Sequence, residues 1–367
     1  MYSYWEKKYW FGQTDFTIVG SGIVGLLTAI YLKQKHPKAS IKILEREAVP
    51  KGASTKNAGF ACFGTIGELL DDLTTMDEQE VANTLALRYK GLELLRSTVS
   101  DNKLGFKLSG GYEVFSDLKR YEQCAEAVSK MNRMVHSVLG LSHTFQSQSC
   151  ALPNTYSQMI CNQYEGELNP VYLVLALREQ ARALGVNIYS GFVVEGWEKA
   201  GSKIEISLQH CELQLKTKTL VLATNAFTNK LLAQLDVIPK RNQVLVSQPL
   251  GLRLDGTYHY DKGYVYFRNI DNRVLIGGAR NIDPLTESTS TYGSNDKIVQ
   301  HLTEFAQRHI ASDFEVQYHW SGIIATGSSK SPIVKEQSEN VFVAARLGGM
   351  GVAIGAQVAK QVVDLLG

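Results

Sequence analysis

An α/β fold, in which a parallel sheet shares the chain with a second, α+β unit built on an antiparallel sheet, is predicted by three observations. First, a short apolar strand, Phe16–Val19, runs into Gly20-Ser21-Gly22-Ile23-Val24-Gly25, then into the apolar stretch Leu26–Leu32 and a second strand, Ile41–Leu44. That order is a βαβ unit. Second, two more apolar strands lie far downstream, Leu220–Ala223 and Val341–Ala344, and fully apolar runs of this length suit a parallel sheet covered on both faces. Third, the stretch from Pro239 to about Trp320 is β-rich, with strands at Gln243–Ser247, Gly263–Arg268 and Arg273–Gly278 and a helix at about Asp296–His309.

The first unit, from about residue 14 to 62, carries a dinucleotide-binding fingerprint in its proper setting. Gly20 allows the tight turn, Gly22 lets backbone approach a pyrophosphate, and Gly25 lets helix and strand pack closely. Ile23 and Val24 begin the helix, whose free N–H groups and partial positive charge attract phosphate. Glu45, about twenty residues beyond Gly25, is placed to accept hydrogen bonds from an adenosine ribose, with Arg46 beside it. NAD-binding domains carry the same fingerprint, so this unit alone does not choose the dinucleotide. The run Gly52-Ala53-Ser54-Thr55-Lys56-Asn57-Ala58-Gly59-Phe60, continuing to Gly64, is too rich in small and polar residues to bury much area. It suits backbone lying against a ligand, with the Ser54 and Thr55 hydroxyls and main-chain N–H groups offered to phosphate oxygens. A surface loop has the same composition.

Further along, Glu68 to Ser100 reads as helical, with Val81, Leu85, Leu92 and Leu95 near helical spacing. Gly105–Phe115 reads as a strand around Gly110-Gly111, followed by a polar helix to about Leu139. Asn169-Pro170 starts a helix by mechanism, since Asn caps and Pro fits the first helical position; Gly185 stops it. Val186–Ile188 and Phe192–Val194 read as strands. After Val341–Ala344 the turn Gly348-Gly349-Met350-Gly351-Val352 opens a helix from about Ala353 to Leu366. Successive N–H groups at a helix start stabilise developing negative charge. A glycine-rich helix-packing turn would read the same way.

Composition excludes several classes. Hydrophobic content of 44% and charged content of 20% are ordinary for a globular enzyme. A net charge of +2 without a Lys/Arg stripe gives no reason to expect nucleic acid. No apolar run approaches the ~20 residues of a membrane span, and the N-terminus lacks the pattern of a signal peptide, so a cytoplasmic protein is expected. The five cysteines are scattered without CxxC spacing, and the histidines form no HExxH, which points away from disulfides and from a metal site.

Five ordered segments of the chain resemble the D-amino-acid oxidase-like flavoprotein superfamily, which includes sarcosine, glycine and γ-glutamylputrescine oxidases. They are Ser3-Tyr4-Trp5, Gly52–Gly59, Leu220–Thr228 (with Ala223, Thr224 and Asn225), Tyr264–Gly278, and Val341–Val352. The resemblance implies FAD as cofactor. It also implies two discontinuous domains: an FAD-binding, Rossmann-like domain of residues 12–66, 150–236 and 320–367, and a substrate domain of residues 67–149 and 237–319. Ile23, Val24, Glu45, Arg46, Ala53, Ser54, Thr55, Asn57, Ala58, Gly59, Phe60, Val194, Ala223, Thr224, Asn225 and the Gly348–Val352 turn are then expected at the cofactor, together with the three fingerprint glycines.

The chemistry implied is oxidation of a C–N bond in a small amine or amino acid. The flavin accepts a hydride equivalent at N5, and the imine hydrolyses afterwards. Alternate residues of a strand share a face, so Tyr264, Tyr266 and Arg268 are the expected catalytic face; a solvated sheet face would carry such residues equally well. The electron acceptor is O2 or a carrier. Three departures from the family pattern limit the substrate. Ile324 stands where glycine-oxidase-like members place the arginine that grips the carboxylate, unless Arg346, Arg268 or Arg280 takes its place. Leu275 stands at about the position of a lysine that assists reaction with oxygen. No cysteine lies near residues 322–330, so FAD is expected to be non-covalent, and Cys62 is expected to be simply buried. Two rival readings are an oxidase acting on a modified tRNA base and a flavin-binding electron-transfer subunit without turnover.

Overall fold

Five strands pair side by side in the order Val341–Ala345, Leu215–Leu222, Thr14–Val19, Ile41–Glu45 and Asn187–Ser190, all parallel. The antiparallel strand Ile333–Ser338 closes one edge. The computed structural model describes residues 1–367. The first strand lies between one that follows it and one that comes two hundred residues later. At such a reversal of strand order the crevice outside the carboxyl ends is the ligand site of an open α/β sheet.

The fingerprint helix, Ile23–Lys35, buries residues around almost its whole circumference, including Ile23, Val24, Leu26, Leu27, Ala29 and Ile30. A helix apolar on every side must be covered on every side. Gly351–Leu365 and Pro170–Ala183 do this, and Glu78–Thr98 packs against Gly351–Leu365 in turn. The starts of these helices are set locally. Asn169 accepts from the Val171 and Tyr172 N–H groups at 2.9 and 3.2 Å, with Pro170 behind it, and Asp77 forms a capping box with Glu80. Leu118–Leu139 is a single long helix ending at Gly140, as the polar pattern predicts.

The second sheet runs Val316–Thr326, Ile238–Ser247, Arg273–Gly278, Val265–Ile270, Thr257–Tyr260, Gly111–Val114, Gln158–Asn162, Phe145–Ser149. One face packs Leu245, Phe267 and Ile276 against Ile298, Leu302 and Phe305 of the helix Asp296–His309. The other face turns towards the Ala53–Phe60 segment, and there Val244, Val246 and Leu275 pack on Ala58. Two expected domain divisions need correction. Gln158–Asn162 pairs with Gly111–Val114, so a division at 150 cuts the second sheet. Val316–Thr326 pairs along its length with Ile238–Ser247, so the division at 320 falls inside a strand. Hydrophobic patterning shows strands but not their partners, which is why both divisions are misplaced.

Candidate cofactor and substrate site

Gly20, Glu45, Ala223 and the turn after Ala345 follow the carboxyl ends of adjacent parallel strands, so the fold gathers them at one crevice. Gly20 has φ of 107°, and a side chain on it would meet the Ala223 carbonyl at 2.6 Å. A side chain on Gly25 would lie 2.0 Å from the Gly20 carbonyl and 3.3 Å from Ile18, which is the close helix–strand contact expected of the third glycine. Gly22 gives the helix no side-chain cap. Instead Ser54, from the distant small-residue segment, accepts from the Ile23 N–H at 3.0 Å. The sequence thus brings a second loop to the helix start, the end of a helix that suits an anionic oxygen.

Glu45 is buried, and its Oε2 accepts from the Ser21 N–H and hydroxyl at 3.0 and 2.8 Å. Oε1 takes the Glu47 N–H at 3.2 Å and keeps acceptor capacity for a ribose hydroxyl. Arg178, which sequence reasoning missed, donates to the Ser21 hydroxyl at 3.1 Å and so supports the carboxylate from behind. Arg46 stacks on Phe227, 3.9 Å from the ring centre. Val194 begins the strand Val194–Ala200, next to Phe192, whose N–H bonds the Glu45 carbonyl at 2.9 Å.

Ala53–Lys56 forms one helical turn. Asn57 shapes the exit from that turn: its Nδ2 donates to the Ala53 and Ser54 carbonyls at 3.1 and 3.0 Å, and its Oδ1 accepts from the Gly59 N–H at 2.8 Å. The Thr55 hydroxyl donates to the Pro50 carbonyl at 2.9 Å. Asn57 and Thr55 are therefore positioning residues for the loop. Asn225 plays the same part beside Thr224, accepting from the Leu347 N–H at 3.3 Å and tying one strand end to the closing turn.

That closing turn fits a flavin. Ideal Cβ atoms on Gly348 and Gly349 meet nothing within 4 Å, so open space lies before the backbone where a side chain would stand. Met350 ends the turn, and the helix from Gly351 through Val352 begins there with first-turn N–H groups that have no intrahelical partner. These donors and the crevice at Gly20–Gly25 suit the two ends of an extended dinucleotide.

The expected catalytic face is partly overturned. Arg268 is 5% exposed and every guanidinium nitrogen is engaged: Nε on the Ala58 carbonyl at 2.7 Å, Nη2 on Leu168 at 3.2 Å, and Nη1 on the Glu167 carboxylate at 3.0 Å. Burial pulls its pKa down and Glu167 opposes that. Arg268 ties the second sheet to the Ala58–Gly59 loop, with four of its five N–H donors engaged by protein groups, the fourth being Nη1 on the Asn269 carbonyl at 3.4 Å. The alternation rule placed it on the correct face. What decided its role was Glu167, an acid from a two-residue strand, Gly166–Glu167, with no periodic signal. Tyr266 lies edge-on to Phe60, 5.4 Å between ring centres, and burial pushes its phenol up to about 12, so it stays neutral. Tyr264 stands just before the strand with the Arg280 guanidinium 5.4 Å over its ring. Ile324 and Leu275 are buried, and neither gives the face a charge. Cys62 is half-buried where full burial was expected; desolvation, with Glu165 next, pushes its thiol up and keeps it protonated.

Behind Phe60 lies a buried polar set that no motif announced. His259 meets Phe60 edge-on at 5.2 Å, and its Nε2 is 3.7 Å from Glu165. Glu165 accepts from the Phe63 and Gly64 N–H groups at 2.7 and 2.9 Å, and Glu113 accepts from Gly67 at 2.9 Å. Desolvation raises Glu165 to about 8 and Glu113 to about 7, and lowers His259 to about 4. The one available signal was Glu113 inside the apolar run Gly111–Phe115.

No helix is long and apolar enough to cross a membrane. A model of the FAD dependent oxidoreductase family matches residues 15–365. No curated protein sequence matches the chain. Among solved structures, an L-proline dehydrogenase from P. horikoshii superposes with a TM-score of 0.77 at 15% identity, covering 96% of this chain and 93% of that one. A glycine oxidase from Geobacillus kaustophilus gives 0.75 at 19% identity, with 96% and 94% covered. An L-α-glycerophosphate oxidase from Mycoplasma pneumoniae with FAD bound gives 0.77 at 16% identity, with 96% and 94% covered. At these identities the likeness is one of fold.

Proposed function

Because the chain belongs to the FAD dependent oxidoreductase family, we propose that it acts on a small molecule and oxidises the C–N bond of an amine or amino acid. The observation that carries this reading is the aromatic wall that the second sheet sets against the cofactor loop. Tyr266 and Trp320 pack with Phe60, Ala58, Val244 and Leu275 on the face turned to that loop. A surface of this kind excludes water and favours the neutral form of an amine over the ammonium ion. Bound FAD supplies the two-electron acceptor. The residues do the rest: the N–H groups of Gly351 and Val352 stabilise negative charge at the cofactor edge they face, the Met350 N–H being held by the Leu347 carbonyl at 3.1 Å, and Gly20–Gly25 with Ser54 hold the pyrophosphate. Tyr266, neutral at any working pH, can donate a hydrogen bond but cannot act as a base. Two of the similar folds are named for amino-acid substrates and one for a glycerol phosphate.

The test is anaerobic mixing of the yellow protein with primary amines, secondary amines, amino acids and 2-hydroxy acids, followed at about the flavin band near 450 nm. Bleaching by an amine or amino acid supports the reading. Bleaching by hydroxy compounds alone overturns it. Admitting O2 to the reduced protein then separates an oxidase from a dehydrogenase. Precipitation with acid should release intact FAD, the outcome expected of a non-covalent cofactor in a chain with no cysteine at 322–330.

A further inference from the structure

Three arginines are available to replace the charge missing at Ile324, and two are already engaged. Arg268 is held by Ala58, Glu167 and Leu168. Arg346 is held by Asp236 at 2.5 Å, the Ser331 carbonyl at 2.8 Å and Ser329 at 3.1 Å. Arg280 has no ion pair. Ala279, at φ of 55°, turns the chain after Gly278 and directs Arg280 over Tyr264.

Arg280 lines a cavity of about 210 Å³ with Lys240, Tyr264, Asn281, Pro284 and Glu287. Lys240 is the residue directly across the strand pair from Ile324. It too makes no ion pair. The one acid in the wall does not neutralise these cations. Glu287 is fully buried and receives Arg241 Nη2 at 2.8 Å, Arg241 Nε at 3.1 and 3.2 Å, Gln243 at 3.1 Å and Asn295 at 2.9 Å. Its charge is matched by Arg241, behind the sheet. The cavity therefore carries two cations with no counter-charge, beside a phenol. One pleat along from Lys240, on the same face, Asn242 is 9% exposed and its Oδ1 has no partner. A buried carbonyl oxygen without a donor is costly unless a ligand supplies one.

We propose that this cavity binds the oxyanion end of the substrate, with Lys240 and Arg280 as the specificity-determining pair. As substrate recognition, this rests on the C–N oxidation reading above. The grip absent at Ile324 has moved one strand over to Lys240, and Arg280 adds the planar fork that a carboxylate or phosphate oxygen pair prefers. The Tyr264 hydroxyl adds a neutral donor. Tyr266, two residues beyond the cavity's Tyr264 and so on the same face, packs edge-on against Phe60 of the cofactor loop. An anion held at Lys240 and Arg280 thus points the rest of a small molecule inward, and the Asn242 carbonyl suits its N–H. The substrate class is an amine bearing a carboxylate or a phosphate.

The experiment uses the FAD-loaded protein and the variants Lys240→Met, Arg280→Met and the double variant. Affinity is read from flavin reduction for three probes: an α-amino acid, phosphoethanolamine and an uncharged alkylamine of similar size. Each single variant should lower the ratio of anionic to neutral affinity roughly 10-fold and the double variant about 100-fold, as expected for charged hydrogen bonds. The anionic probe with the larger loss identifies the oxyanion. A ratio unchanged in the double variant, or a wild-type protein that prefers the neutral amine, overturns the proposal. In parallel, succinate and inorganic phosphate are titrated calorimetrically. If no amine reduces the flavin but one of these anions binds and is lost in the double variant, the C–N reading fails and the anion site stands. If neither anion binds the wild type, the site itself falls.

Discussion

Arg268→Leu should destabilise the protein and loosen its flavin. The substitution leaves the Glu167 carboxylate without its partner at 3.0 Å and strips donors from the Ala58 and Leu168 carbonyls. Removing one partner of a buried pair costs about 3–5 kcal/mol. The Glu167 side chain keeps 17% exposure, so water recovers part of its solvation and the cost sits near the lower end. At about 2.1 cal/mol/K per residue, 367 residues give an unfolding entropy of about 0.8 kcal/mol/K, so about 3 kcal/mol lowers Tm by roughly 4 °C. Because Arg268 holds the Ala58 carbonyl next to Gly59, the cofactor loop loses its tether to the second sheet and FAD occupancy falls. Differential scanning fluorimetry of holo and apo forms, with FAD content after gel filtration, reads both effects. Arg268→Lys should recover part of the loss, keeping the charge without the fork. A leucine variant with wild-type Tm and full FAD but weakened binding of an anionic amine would show that the guanidinium serves substrate, and the structural assignment would be wrong.

Gly349→Val should weaken FAD binding with little change in apo Tm, because its Cβ meets nothing within 4 Å in the protein and fills only the cofactor's space; equal FAD affinity refutes the cradle. Glu45→Ala should weaken FAD by about 1–3 kcal/mol, the range for a charge-assisted hydrogen bond, measured by fluorescence quenching of free FAD. Unchanged affinity would mean that the ribose has another partner. Stability should fall between pH 6.5 and 8. Glu165 and Glu113, raised to about 8 and about 7 from 4.5, hold protons in the fold that the unfolded chain has lost, so their contribution is full below pH ~4.5 and disappears as pH passes those values. Each contributes a slope of about 1.4 kcal/mol per pH unit between about pH 4.5 and its own folded-state value, so above about pH 7 Glu165 alone carries the fall. His259, lowered to about 4, acts in the opposite sense, with its stabilisation lost as pH falls from 6.5 towards 4, so it leaves the upper window unaffected. Glu165→Gln, which still accepts from Phe63 and Gly64, should flatten the urea-denaturation profile over pH 7–8; an unaltered profile would show that Glu165 is ionised in the fold.

The sequence by itself determined the parts whose physics is local. Gly20, Gly22 and Gly25 between an apolar strand and an apolar helix specify a tight strand-to-helix turn because only missing side chains permit the approaches of Ala223, Ser54 and the Gly20 carbonyl. Asn169-Pro170 and the apolar runs Leu220–Ala223 and Val341–Ala344 likewise read out as a helix start and parallel strands. Tertiary structure decided everything that depended on partners distant in the chain. Arg268, Arg280 and Arg346 look alike in sequence, yet Glu167 and Asp236 engage two of them and leave the third in a cavity with Lys240. Glu113, Glu165 and His259 come together only because strand pairing places Glu113 beside His259 and the chain brings Glu165 beneath them. An ionisable group's role is fixed by its counter-charge and its burial, and both are set by packing across the fold, not by neighbours along the chain.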